Sequence, residues 1–268
     1  MNAIAHSVAM TSVLAANARL LAAITRVELT KKFAGSVLGQ VWLVLQPALL
    51  LGVYLFVYLV VFKVRFPGFS DIEYVLYVFA ALVPFLGVIE AVNASVLSIK
   101  ANMHLVKNVM LPIELVPVRT VLVALSGESI GLALVILLAA VNGEAGPMLA
   151  ALPIAVLLQA VALFGIAWIV AGLGVALPDT SYIISLLMFL LMFLSPIAFE
   201  PAMVPDAFRF VVYGNPVYYM LEVFRDCLIA GRDVNLRIWA IHAAMSALVY
   251  LIGAAFFRHF KSVLVDYE

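Results

Sequence analysis

The sequence predicts an all-α integral membrane protein. It predicts six transmembrane helices, an N-terminal interfacial amphipathic helix, and short re-entrant helices before the last span. Three observations carry this expectation. Hydrophobic residues make up 66% of the 268 positions and charged residues only 11%, where a soluble domain has roughly 45–50% and about 25%. The mean hydropathy is +1.19. The charges also leave gaps as long as a membrane is thick, at residues 41–62, 149–178, 180–199 and 238–257.

Residues 16–33 come first in order. Leu20, Leu21, Ile24, Val27 and Leu29 alternate with Arg19, Arg26, Glu28, Lys31 and Lys32. A helix of this pattern has one apolar and one basic flank and lies along an interface. The N-terminus lacks a basic n-region ahead of an apolar stretch, so it reads as retained rather than as a signal peptide. Span 1 covers residues 41–62, with Pro47 expected to kink it or break it at Gln46. Span 2 covers residues 74–99 and contains Pro84, Glu90 and Asn93. A polar linker at 100–108 leads to span 3, residues 112–141, which Asn142-Gly143 ends with a turn. Span 4 covers 152–176. Pro178-Asp179 is too short to do more than join it as a hairpin to span 5, residues 182–199.

The stretch 200–237 is moderately apolar but broken by Pro201, Pro205 and Pro216. Residues 208–213 and 217–221 are each too short to cross, so they read as a re-entrant pair turning at Gly214, Asn215 and Pro216. Arg209, Glu222, Arg225 and Asp226 are expected near water. Span 6 covers 238–257. The chain thus divides into an N-terminal segment 1–40, a transmembrane domain 41–258 and a tail 259–268. With six spans the termini share a side. That side collects nine Lys and Arg residues against six on the other, which places both termini in the cytoplasm.

Several function classes fall away. No G-x-x-x-x-G-K-[ST] run occurs, so ATP hydrolysis would need a second polypeptide. Cys227 is the only cysteine, and the four histidines form no short ligand motif, so no metal site is expected. A pI of about 6.9 argues against a nucleic-acid partner. Glu90 and Glu128 are the charges deepest inside expected spans. They read as packing or channel-lining groups, or as ion-coupling carboxylates in a secondary transporter. Arg119 and Glu128, nine residues apart, fall on opposite helix faces and cannot pair. Tyr54, Tyr58 and Phe62 recur every four residues on one face of span 1. Rings and hydroxyls in such a stripe suit a sliding sugar chain, although an interfacial aromatic girdle has the same pattern.

Arg26, Lys31-Lys32-Phe33, Ser36-x-x-Gly39-x-x-Trp42 and Pro47 resemble the opening of the permease subunits of polysaccharide-exporting ABC transporters, the ABC-2 type. Ile99-Lys100-Ala101-Asn102 and the run from Lys107 through Leu111-Pro112 to Pro117 resemble that family's loop after span 2. Asn215-Pro216 with Tyr219, Glu222, Arg225 and Asp226 resembles its segment before span 6. Phe33 stands where the family has tyrosine, and Leu111 where it has phenylalanine; both keep bulk and apolarity.

The resemblance implies a homodimer of six-span subunits in the bacterial inner membrane. Two copies of an ABC ATPase would carry ATP and Mg, and this chain would carry no cofactor or catalytic site of its own. The cargo would be a lipid-linked polysaccharide such as O-antigen, taken from membrane lipid. In that frame Lys100, Asn102, His104, Lys107 and Asn108 would form a short helix docking on the ATPase, with Met103, Leu105 and Val106 adding apolar contact. The competing readings are an ABC-2 permease for a lipid or drug, an ion-coupled secondary transporter, and a membrane enzyme acting on lipid-linked sugars.

Overall fold

A computed structural model describes residues 3–61, 70–109 and 111–266 of the chain. Among them there are helices and no strands. The order is α1 (Ala3–Ala16), α2 (Ala18–Lys32), α3 (Trp42–Leu55) continued by a π-helical turn (Phe56–Val61), α4 (Asp71–Val96), α5 (Ser98–Ala101) and α6 (Met103–Val109). It continues with α7 (Leu115–Val141), α8 (Leu152–Ala176), α9 (Thr180–Leu194), α10 (Arg209–Tyr213), α11 (Pro216–Leu228) and α12 (Leu236–Asp266).

Four of the described helices are long and apolar enough to cross a membrane, centred on α4, α7, α8 and α12. The α1–α2 pair, bent by 70° at Asn17, is a fifth candidate if counted as one span. α3 and α9 are shorter apolar helices. The protein is therefore an all-helical integral membrane protein with four to five candidate spans.

α4 is the centre of the bundle. Its residues from Tyr74 to Phe85 are all buried, because α7, α8, α9 and α11 pack around it. The helix starts at a capping box that the sequence reading overlooked. The Ser70 hydroxyl accepts from the Glu73 amide at 3.2 Å, and the Glu73 carboxylate accepts from the Ser70 amide at 2.5 Å. Two amides at the helix start are satisfied reciprocally, so α4 begins at Asp71 rather than at residue 74.

α8 keeps its expected bounds and lies along α12. Glycines set how close they come. A Cβ on Gly165 would lie 2.3 Å from the Val249 carbonyl oxygen, and one on Gly253 would lie 2.2 Å from the Gly165 carbonyl oxygen. Only a missing side chain on both helices permits that approach.

Three expectations need correction. The N-terminal stretch before Ala16, left unassigned by its sequence, is the helix α1. It packs on α12, with Met10 buried and Thr11 sharing a 2.8 Å hydrogen bond with the Tyr250 hydroxyl. Of the two outcomes expected at Pro47, the break at Gln46 does not occur, because α3 runs through it. Span 5 is shorter than the charge gap suggested. α9 stops at Leu194 after 15 residues, about 22 Å of helix at ~1.5 Å per residue, because Pro196 forces Ser195 into extended backbone (ψ 140°). The chain from Ser195 to Ile197 stays buried and turns, with the Ile197 amide donating to the Ser195 carbonyl at 2.8 Å.

The bundle has two ends. At one, α4 and α12 begin, α7 and α9 finish, and α11 packs among α4, α8 and α12. At the other lie the end of α2, the start of α3, and the short helices α5 and α6.

Candidate functional site

At the first end, Gly214-Asn215 joins two short helices as expected. Asn215 caps α11: its side-chain oxygen accepts from the Val217 amide at 3.0 Å, and its amide nitrogen donates to the Ser195 hydroxyl at 2.8 Å. Pro216 occupies the first turn of α11, where a missing donor costs nothing. A Cβ on Gly214 would lie 2.8 Å from the Phe210 carbonyl oxygen, so the turn is tight as well as short.

Three of the four charged residues expected near water are buried instead, while the Arg209 side chain is 41% exposed as expected. Arg225 is 0% exposed, and Glu222 and Asp226 are buried. Arg225 donates to the carbonyls of Pro196 (2.6 Å), Ile197 (2.9 Å) and Tyr77 (3.3 Å), and to Glu222 Oε1 (2.7 Å). Arg232 donates to Glu222 Oε2 at 2.6 Å and lies 3.5 Å from Asp226 Oδ1, whose other oxygen accepts from the Trp239 indole at 3.0 Å. This network fastens α11 to α4, to the extended end of α9 and to α12. Helical spacing on α11 put Glu222, Arg225 and Asp226 on one face in the sequence. The carbonyls exposed by Pro196 were the signal that this face is buried.

Deep in the bundle, Glu128 is 5% exposed. Its Oε2 accepts from Gln159 Nε2 at 2.8 Å, and the same nitrogen reaches the Pro84 carbonyl at 3.2 Å. The carboxylate fills the space above Gly87, where a Cβ would lie 1.9 Å from Oε2. Ser126 and Ser129, its neighbours in sequence, bond instead to carbonyls of their own helix. Glu128 therefore joins α4, α7 and α8. Gln159 was missed because an amide inside an otherwise apolar span was read as part of the hydropathy pattern.

Glu90 is half-exposed and paired with Lys32 at 2.5 Å. Lys32 arrives from α2, a contact that linear distance hides. Both flank a cavity of about 300 Å³ between α3 and α4, lined also by Trp42, Phe79 and Glu128. Arg119 lies 3.7 Å from Glu28, which ties α2 to α7.

At the opposite end, α5 and α6 carry Lys100, Asn102, His104, Lys107 and Asn108. His104, Lys107 and Asn108 are exposed. The half-buried Asn102 donates to the Ser98 carbonyl at 2.8 Å. Met103 does not face outward: it is buried with Ile99, Leu111 and Trp168, and Val106 packs on the same core. The Leu105 side chain lies outside the described residues. Beside this element Lys261 reaches Glu114 at 2.6 Å, tying the far part of α12 to the start of α7.

On α3, Tyr54 meets the Phe79 ring edge-on at 6.0 Å. The α-helical register that aligned Tyr54 with Tyr58 ends at Leu55, where the π-helical turn begins. The Tyr58 side chain and Phe62 lie outside the described residues.

The family of ABC-2 type transporters matches residues 19–229. The chain belongs to that family. The match spans α2 through α11, including Arg225 with Tyr77, Pro196, Ile197 and Glu222, and the α5–α6 element, while Arg232 and Trp239 lie beyond it. Among curated proteins, this ABC-2 protein is 25% identical over 244 residues to the O-antigen export system permease protein RfbA of Klebsiella pneumoniae, covering 90% of this chain and 92% of the relative. It is 26% identical over 242 residues to the protein of the same name from Myxococcus xanthus, covering 89% and 91%. The chain is thus the membrane part of a transport system, similar over nearly its whole length to permeases of O-antigen export.

Proposed function

We propose that this ABC-2 protein is the transmembrane subunit of an ATP-driven exporter that moves a lipid-linked polysaccharide, O-antigen first, across the bacterial inner membrane. The similarity to O-antigen export permeases, which extends over about nine-tenths of both chains, carries this reading. The working unit is two copies of this chain with two copies of an ABC ATPase, which hold the ATP and Mg.

Six crossings follow if α3 with its π-helical turn and α9 with its extended end join the four long helices. The termini then lie in the cytoplasm, with α5–α6 beside them and α10–α11 at the exterior. The exposed His104, Lys107 and Asn108 suit docking on the ATPase, while buried Met103 fixes their helix to the bundle. Tyr54, which meets Phe79 of α4, lines the sugar path, and the sequence offers Tyr58 and Phe62 for the same role. Glu90 is in an ion pair and Glu128 joins three helices, which supports a structural role for both over ion coupling.

The test is co-expression with a candidate ATPase in a strain lacking its own exporter, followed by detection of surface glycan. Export that requires both chains and ATP hydrolysis supports the reading. Glycan export without the ATPase, or ATP-dependent efflux of a drug or lipid alone, overturns it.

A further inference from the structure

Beside the Arg225 network lies a cavity of about 370 Å³ whose lining the transport reading does not use. Tyr77, Glu200, Tyr213, Tyr218, Glu222 and Arg232 surround it. Its volume falls within the range of small-molecule sites. Two of its groups are left to face the cavity. Among the described residues the Glu200 carboxylate has no ion pair or hydrogen bond, and the Tyr218 hydroxyl has no hydrogen-bond partner. The rings are held in place: Tyr213 meets Tyr218 edge-on with centroids 5.5 Å apart, and Tyr219 donates its hydroxyl to the Tyr213 carbonyl at 2.8 Å. Tyr213 is 46% exposed, which leaves its ring open for stacking.

We infer that this cavity is a binding subsite for an uncharged pyranose, formed where the turn between α10 and α11 meets α4 and the segment that joins α11 to α12. The Tyr213 ring takes the apolar face of the sugar. Glu200 and the Tyr218 hydroxyl accept from, and donate to, its hydroxyls, and Arg232 holds Glu222 in place at the wall. Charge sets the class of sugar. Glu200, Glu222 and Asp226 against Arg225 and Arg232 give three negative and two positive charges, a net of −1. An acidic sugar would bring a like charge toward Glu200 and lose binding. The subsite rests on the proposed export of polysaccharide and narrows its cargo to chains that present uncharged sugars at this end of the protein.

The test uses the full-length chain in lipid nanodiscs without the ATPase. The probes are a mannose tetrasaccharide and a galacturonic acid tetrasaccharide, and binding is read by calorimetry. The neutral probe should bind at least about tenfold more tightly than the acidic one. Tyr213→Ala should weaken neutral binding about fivefold, the equivalent of roughly 1 kcal/mol. Tyr218→Phe, which keeps the ring and the packing, should weaken it about threefold. Glu200→Gln should narrow the preference over the acidic probe about fivefold. Unfolding midpoints should match the wild type for Tyr218→Phe and Glu200→Gln. Equal affinity for both probes, no binding of either, or unchanged binding in Tyr218→Phe and Glu200→Gln overturns the subsite. The permease reading is judged separately by export with the ATPase, so a protein that exports glycan yet fails these binding tests discards the subsite alone.

Discussion

The guanidinium of Arg225 lies over the ring of Tyr77, its central carbon 3.6 Å from the ring centroid. The stack joins α11 to α4 by a face contact, while the guanidinium edges reach three carbonyls and Glu222. A planar fork fits this arrangement, and a lysine ammonium does not.

Arg225→Lys and Arg225→Met should both lower stability, because each leaves Glu222 and the Pro196 and Ile197 carbonyls short of partners in a buried site. Breaking a buried charged network by removing one partner costs about 3–5 kcal/mol. Thermal unfolding in detergent should show a fall of several degrees for both. A lysine variant as stable as wild type would mean the network adds little.

Gly87→Ala should destabilise the bundle, since its Cβ would collide with the Glu128 carboxylate. Glu128→Ala removes the obstacle, so the double variant should be more stable than the sum of the two single changes. A double-mutant cycle measures this directly, with a coupling on the order of 1–3 kcal/mol. A coupling near zero would place Glu128 elsewhere.

The Lys32–Glu90 pair is partly exposed on both sides. Glu90→Gln should therefore cost less than about 1 kcal/mol and leave glycan export intact. Loss of export with normal folding would instead give Glu90 a direct part in transport.

His104→Ala and Lys107→Ala should uncouple ATP hydrolysis from export while leaving the unfolding midpoint unchanged, because both side chains are exposed. Met103→Ala should behave differently and lower stability by about 2–5 kcal/mol, as truncation of a buried side chain does. If the exposed pair lowers stability instead of coupling, the element is part of the bundle and not a docking surface.

The crossing helices with uniform hydropathy were the legible part of the fold. α8 matches its sequence bounds because Pro147, Pro153 and Pro178 fall outside or at its ends. The end of α9 was not legible from hydropathy, since Ser195 to Phe199 stays uncharged while the backbone has already left the helix. Helical spacing could place Glu222 beside Arg225 but could not say that Tyr77, 148 positions away from Arg225, would close the site. Lys32 and Glu90, 58 positions apart, are the same case. The turn between α10 and α11 was legible for a local reason: Gly214, Asn215 and Pro216 each suit one step of a turn followed by a helix start. The channel stripe on α3 is the weakest element, because its four-residue interval assumes an α-helix where the backbone widens into a π-helical turn.

The glycine contact between α8 and α12 has a mechanical consequence. Helices slide past each other on a layer of side chains that can change rotamers, and at Gly165 and Gly253 that layer is missing. Backbone rests on backbone, so the two helices are a single beam. Lys261 fixes the far part of that beam to Glu114 at the base of α7. A displacement of α8 is therefore carried as a tilt of the whole beam rather than as shear within it. α3 and α9 make no such glycine contact with their neighbours among the described residues.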